Sequence, residues 1–182
     1  MAVANPSWVI ASSTVFTDNG AYHYSHTDAT VHIGKNALTF VRSYNSNDTR
    51  GGGLGFAWTH NFQMRLAHSP ESEDLGLELA DGESDVFQPL PDGSYASRQG
   101  PDETVVRTDD RYEANVEGQH VTFDLNGRMV GVQTGNQPPL IVRQGRFGPT
   151  QVGGREWRGA AEFHIWRGYG HWSAPLVRDR YP

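Results

Sequence analysis

The chain has 182 residues, which suits one domain or one domain with an extension. Asp and Glu outnumber Lys and Arg by 21 to 15, giving a net charge of −6; general affinity for nucleic acid needs clustered cations and is excluded. There is no Cys, which removes disulfides, thiolate metal sites and a Cys nucleophile, and the 21 Gly mark a turn-rich chain rather than a disordered one.

The N-terminal stretch "MAVANPSWVIASSTVFTDNG" has neither a basic start nor a long apolar run, so it does not read as a signal peptide. No segment reaches the ~18 apolar residues of a membrane-spanning helix. These features predict a soluble chain without membrane insertion. Any export would then take a non-classical route or occur as part of something larger.

Period-two alternation, the mark of half-buried strands, dominates the chain from there on. "ALTFVRSY" sets Leu38, Phe40 and Arg42 on one face and Thr39, Val41 and Ser43 on the other. "NSNDTRGGGLG" comes next. It lacks the spacing of a dinucleotide-binding fingerprint and the Lys-Ser/Thr of a P-loop, and no helix succeeds it to meet a phosphate. Its composition predicts a connection between strands. "GFAWTHNF" resumes the strand pattern, and the polar "SPESED" at 69–74 predicts a boundary.

Leu75, Leu77 and Leu79 alternate up to Asp81-Gly82, and the chain returns through Val86 and Phe87. Val121 and Phe123 lead to Asn126-Gly127, with Met129, Val130 and Val132 behind. Asx-Gly pairs at Asn19-Gly20, Asp81-Gly82, Asp92-Gly93 and Asn126-Gly127 suit the positive φ of type I′ hairpin turns. Gly-Arg recurs at Gly127-Arg128 and Gly145-Arg146, ahead of Phe147; the 18-residue offset is a weak echo of solenoid-like β periods. The prediction is an all-β antiparallel meander of short strands and hairpins with little or no helix.

The last stretch changes character. Trp157, Trp166 and Trp172 lie among arginines, and "AEFHIW" alternates Phe163 and Ile165 against His164 and Trp166 as one more strand would. Two readings of 153–182 stay open: a strand extension that packs on a partner, or the ragged end of a truncated or frameshifted frame. The expected divisions are 10–68, 69–152 and 153–182.

Residues 15–66 and 75–134 resemble the N-terminal module of bacterial rearrangement-hotspot (Rhs) and YD-repeat proteins. There an apolar strand runs into Arg-x-Tyr-Asn-Ser, succeeded by a Gly-rich turn and a Gly-aromatic-x-Trp-x-His-Asn strand. The counterparts are Arg42, Tyr44, Asn45 and Ser46, then Gly55, Phe56, Trp58, His60 and Asn61. "FDLNGRM" is similar to the YD repeat Tyr-Asp-x-x-Gly-Arg-Leu through Asp124, Gly127 and Arg128, with Phe123 in place of Tyr and Met129 in place of Leu.

Members of that family are usually very long, and their repeats spiral into a hollow β-sheet shell around a toxic or effector domain. The resemblance implies the start of such a shell. It also implies a bacterial protein that is exported or surface-displayed within a larger system, and otherwise cytoplasmic. The sequence holds too few repeats to enclose anything and shows no effector domain, so the expectation is a fragment, a short paralogue or a stand-alone module. Expected partners are further shell strands, a second copy through exposed sheet edges, an effector, or a secretion-system protein.

The same residues offer chemical alternatives. His23, His26, Asp28 and His32 have a metal-like composition, but alternation puts His23 and His26 on opposite strand faces. "DGESD" spaces Asp81, Glu83 and Asp85 like the opening of a calcium loop, yet lacks its sixth-position Gly and distal Glu. Glu162 and His164 share a strand face, without a nucleophile elbow anywhere in the chain. Trp58, His60 and Phe62 read either as core anchors or as an aromatic strip for sugar rings, and the resemblance favours the core. No catalytic residue, no cofactor and no metal is therefore assigned. A carbohydrate- or surface-binding sandwich is the runner-up, with a hydrolase with an acidic cleft behind it.

Overall fold

A computed structural model describes residues 11–15, 20–33, 36–100, 102–145, 148–153 and 163–164. Asn19, the Arg146-Phe147 pair, Glu162 and the three C-terminal Trp lie outside them. Among the described residues every regular element is a strand.

The first group is β1 (Ala11–Val15), β2 (Tyr22–Ile33), β3 (Asn36–Asn45), β4 (Gly51–Gly52), β5 (Gly55–Phe56) and β6 (Trp58–His60). The second is β7 (Arg65–His68), β8 (Leu75–Glu78), β9 (Ser84–Pro89), β10 (Ser94–Ser97), β11 (Thr104–Arg107) and β12 (Arg111–Val116). It continues through β13 (Gln119–Asp124), β14 (Met129–Thr134), β15 (Leu140–Gly145), β16 (Gly148–Gly153) and β17 (Phe163–His164).

β1, β2, β3 and β6 form a four-stranded sheet in that order, and β4 pairs with β5 alone. β7 to β17 form an eleven-stranded sheet in strict sequence order, each pair antiparallel. The expected meander is what the chain forms. The Ser69–Asp74 loop joins β7 to β8, which pair with each other, whereas the change of sheet falls between His60 and Arg65.

The large sheet curls into a half-barrel. Its curl is fastened where the Leu66 N–H donates to the Gly127 carbonyl at 2.8 Å and an Arg65–Arg128 bridge forms, so β7 meets the turn after β13. Farther along β7, His68 Nε2 sits 2.9 Å from the Tyr112 hydroxyl, linking β7 to β12. The inner face carries Leu75, Leu77, Phe87, Val105, Ala114, Val121, Phe123 and Val142. Leu38 and Phe40 of the small sheet join the same cluster, with Phe62 and Met64 of the connection between the sheets and Leu66 of β7, so one core serves both. Each Val, Leu, Phe or Met side chain among them contributes roughly 1.5–3 kcal/mol on burial.

Two bulges adjust the alternation. In β2, Thr27 pairs with Val41 and Ala29 with the adjacent Phe40, leaving Asp28 as the extra residue. Through it Tyr24 and His26 before the bulge and Ala29 after it share the β3 face of Phe40, Arg42 and Tyr44. In β14 the pairs Thr122–Gly131 and Phe123–Met129 leave Val130 extra, which is why Met129 and Val132, three apart, are both buried.

The turns correct one expectation. At Asp81-Gly82, Asp92-Gly93 and Asn126-Gly127 only the glycine has positive φ (89°, 85° and 72°). Each loop closes with the same two bonds: Gly82 N–H to the Leu79 carbonyl and Leu79 N–H to Glu83, Gly93 to Leu90 and Leu90 to Ser94, Gly127 to Asp124 and Asp124 to Arg128. These are three-residue loops, a type I turn capped by a left-handed Gly. The extra loop residue relieves the Asx of positive φ. A type I′ turn occurs instead at Glu117-Gly118, between the paired Val116 and Gln119, with φ of 50° and 69°.

Candidate functional site

The loop between β3 and β6 is built from its own polar side chains. The Asn45 carbonyl accepts the Asp48 N–H and its Oδ1 accepts the Asn47 N–H, turning the chain out of β3. Ser46 secures the start of β2: its Oγ accepts the Tyr22 N–H at 2.9 Å, and its N–H donates to the Tyr22 carbonyl. Asp48, buried, takes both arms of the Arg50 guanidinium, at 2.6 Å from Nε and 2.9 Å from Nη2, and also the Arg50 N–H. Burial pushes the Asp48 pKa up, but the Arg50 bonds and charge outweigh it and hold it below the usual carboxylate range. Arg50 reaches on to Glu78 Oε2 at 3.1 Å.

β4 and β5 pair Gly51 with Phe56 and Gly52 with Gly55, and the loop ends at Ala57. Ala57 is buried in the left-handed region (φ 62°), held by its N–H to the Arg50 carbonyl and by Asn45 N–H to its own carbonyl. The whole loop rests on the turn between β8 and β9. A Cβ at Gly82 would lie 3.0 Å from Asn45 Cβ and 3.2 Å from Asp48 Oδ2, and Thr59 Oγ1 donates to the Ala80 carbonyl at 2.6 Å. "NSNDTRGGGLG" is thus a connection, as expected, and also a wedge between the two sheets. Asp48 and Arg50, at its centre, are not among the expected signature residues. The Asp-x-Arg spacing is the signal for that fork.

The signature residues flank the wedge. Asn61 acts as a strand extension: its side chain accepts the Val41 N–H and donates to the Thr39 carbonyl, while its N–H donates to Val41. His60 is 2% exposed, packed on Phe40 with ring centroids 5.1 Å apart. Its Nδ1 accepts the Phe62 N–H at 3.2 Å, so the neutral tautomer with the proton on Nε2 is present; burial lowers its pKa to about 3.

Arg42 lies over Trp58, 5.2 Å from the ring centroid, and its Nε is 3.3 Å from Asp28 Oδ1 without the alignment of a hydrogen bond. His26 Nδ1 is 3.0 Å from the same oxygen. Tyr44 contacts Trp58 on one side at 5.3 Å and Tyr24 contacts it edge-on at 6.1 Å. His23 points from the other face of β2 toward Glu83, 3.8 Å away. His23 and His26 are therefore on opposite faces.

In the turn after β13, Asp124 Oδ1 accepts the N–H groups of both Asn126 and Arg128, and Gly127 adopts the left-handed form. A Cβ on Gly127 would stand 1.7 Å from the Leu66 carbonyl oxygen. The Asp-x-x-Gly-Arg pattern makes a self-capped turn with room for a strand backbone against it.

The carboxylates of "DGESD" diverge. Asp81 accepts the Glu83 N–H, Glu83 faces His23, and buried Asp85 accepts from the Ser97 hydroxyl and the Val86 N–H. Among the described residues no three His, Cys, Asp or Glu side chains group as metal ligands. An open cleft of about 590 Å³ is lined by Asp102, Glu103, Glu117 and His120 among others. Partial burial, then the charges of Asp81, Glu103 and Glu83, raise the Glu117 pKa above its ordinary value, an effect that its contact with solvent screens.

Among the described residues no helix is long and apolar enough to cross a membrane. No curated protein matches the chain. Residues 13–87, from within β1 to within β9 and so including the wedge, match the profile of a family described as "Domain of unknown function (DUF6531)".

Proposed function

We propose that the chain is a structural and interaction module of an Rhs/YD-repeat protein, starting or capping a β-sheet shell and carrying no catalytic activity of its own. The observation that supports this most is the eleven-stranded sheet in strict sequence order, curled, with its first strand tied by Leu66 to the Gly127 turn. A meander fastened at its first strand has its direction of growth set toward the other end. The residues that resemble the family signature hold backbone to backbone: Asn45, Ser46 and Asn61 by hydrogen bonds, and Arg42, Tyr44 and Trp58 by ring packing. That is work for a wall. In this reading the parent protein is bacterial, exported or surface-displayed, and the module docks further strands, an effector or a delivery protein.

Among the described residues β1 ends the small sheet, and its sequence "ASSTV" carries none of the charges or Pro that blunt an edge strand. Isolated copies should therefore associate edge to edge. Light scattering across a wide concentration range tests it: mass rising with concentration supports the module, and a strict monomer at the highest concentration opposes it.

A further inference from the structure

We propose that His60 is an acid-operated latch, which holds the small sheet against the large one and lets the two part when it is protonated. Among the described residues no strand ladder crosses from one sheet to the other: β1, β2, β3 and β6 pair among themselves, and so do β7 to β17. The contacts that cross include the shared core, the Thr59 hydroxyl on the Ala80 carbonyl, Arg50 with Glu78, and His23 near Glu83. Separation therefore breaks no ladder. His60 closes β6, where the chain leaves the small sheet.

At that joint the imidazole is 2% exposed and packed with two phenylalanines. Its ring centroid lies 5.1 Å from that of Phe40 and 6.5 Å from that of Phe62, which are 6.2 Å from each other. Phe40 belongs to β3 and Phe62 to the connection between the sheets, so the three rings span the joint. His60 Nδ1 accepts the Phe62 N–H at 3.2 Å. A proton on Nδ1 turns that acceptor into a donor facing a donor, and it places a charge in an apolar setting. Both costs vanish once the ring meets water.

Among the described residues no carboxylate pairs with the imidazole. Arg42 is its register partner in β3, and Asp28 is engaged by Arg42 and by His26. Asp85, buried on β9, holds the Ser97 hydroxyl and the Val86 N–H, while Glu78 and Glu83 face Arg50 and His23. Burial alone lowers the His60 pKa from 6.5 to about 3. The proton thus binds the opened form in preference, and opening gains as pH falls between those values. The latch does not depend on the shell reading, and either can fail alone.

Hydrogen exchange of the full chain at pH 7 and pH 4, corrected for intrinsic rates, tests it. The Asn61, Phe62 and Gln63 amides report the joint, and those of Val121, Thr122 and Phe123 report the large sheet. Protection at Phe62 should fall on the order of a hundredfold between the two pH values, while β13 keeps its protection. His60→Asn, which keeps an acceptor and does not titrate, should abolish the response. If that variant does not fold, Glu78→Gln and Glu83→Gln decide: those side chains are 37% and 47% exposed, and the response should persist in both. Equal loss at Phe62 and β13 is global acid unfolding and overturns the proposal. Constant protection at Phe62, a response that survives in folded His60→Asn, or one that disappears in either Gln variant also overturns it.

Discussion

The Leu66 N–H donates to the carbonyl of Gly127 at 2.8 Å, and this bond joins the first strand of the large sheet to a turn six strands away. The turn reaches the strand only because residue 127 has no side chain. A Gly127→Ala substitution meets the Leu66 carbonyl and a φ of 72° together. The expected cost is about 3 kcal/mol or more, combining left-handed strain with displacement of the docked strand. Denaturant unfolding measures it, and hydrogen exchange at Leu66 should accelerate in the same variant.

The Asp48–Arg50 fork gives a second prediction. Arg50→Ala leaves a carboxylate buried without its guanidinium, and the expected loss is about 1–3 kcal/mol, moderated because the Arg50 side chain is 30% exposed. Arg50→Lys should recover only part, since an ammonium cannot form both arms of the fork. Full recovery by Lys in thermal unfolding would mean that charge alone matters there.

His60 makes stability depend on pH. Its folded pKa of about 3 lies below the 6.5 of the unfolded chain, so between those values the unfolded state binds the extra proton. Stability from this group is complete above pH 6.5 and is lost as pH falls toward 3, at about 1.4 kcal/mol per unit. His60→Asn keeps an acceptor for the Phe62 N–H and removes the titration. The variant should be less stable at neutral pH through lost packing, yet show a flatter curve between those limits.

Glu117 occupies a left-handed turn position that Asn adopts more easily, beside Asp81, Glu83 and Glu103. Glu117→Asn should stabilise the protein by about 0.5–1 kcal/mol at neutral pH. The two causes separate by titration. A raised folded pKa means that the ionised form is disfavoured in the fold, so the charge part is present at neutral pH and vanishes once Glu117 is protonated. The backbone part persists.

The range of each interaction decides how much of it is legible in the sequence. Leu38, Phe40, Leu75, Leu77, Val121 and Phe123 are legible because alternation is local, and all are buried. The bulges at Asp28 and Val130 are not, because a bulge is defined by the partner strand rather than by its own residues. The Asx-Gly pairs locate three hairpins but not their loop length, which depends on how the strands close behind them. Glu117-Gly118 carries no turn signal because Glu rarely takes positive φ. The aromatic chain around Trp58 joins three strands that are separate in sequence. For Trp58 and His60 the family resemblance favours the core, which holds for His60 and only half for Trp58.

If the proposed wall role holds, β1, the edge of the small sheet among the described residues, recruits other strands. Hydrogen exchange at Ala11–Val15, monitored as protein concentration is raised, tests it most directly. The predicted result is slowing of those amides in step with a growing mass in solution. Exchange at β1 that stays constant, in a protein that remains monomeric throughout, would contradict it.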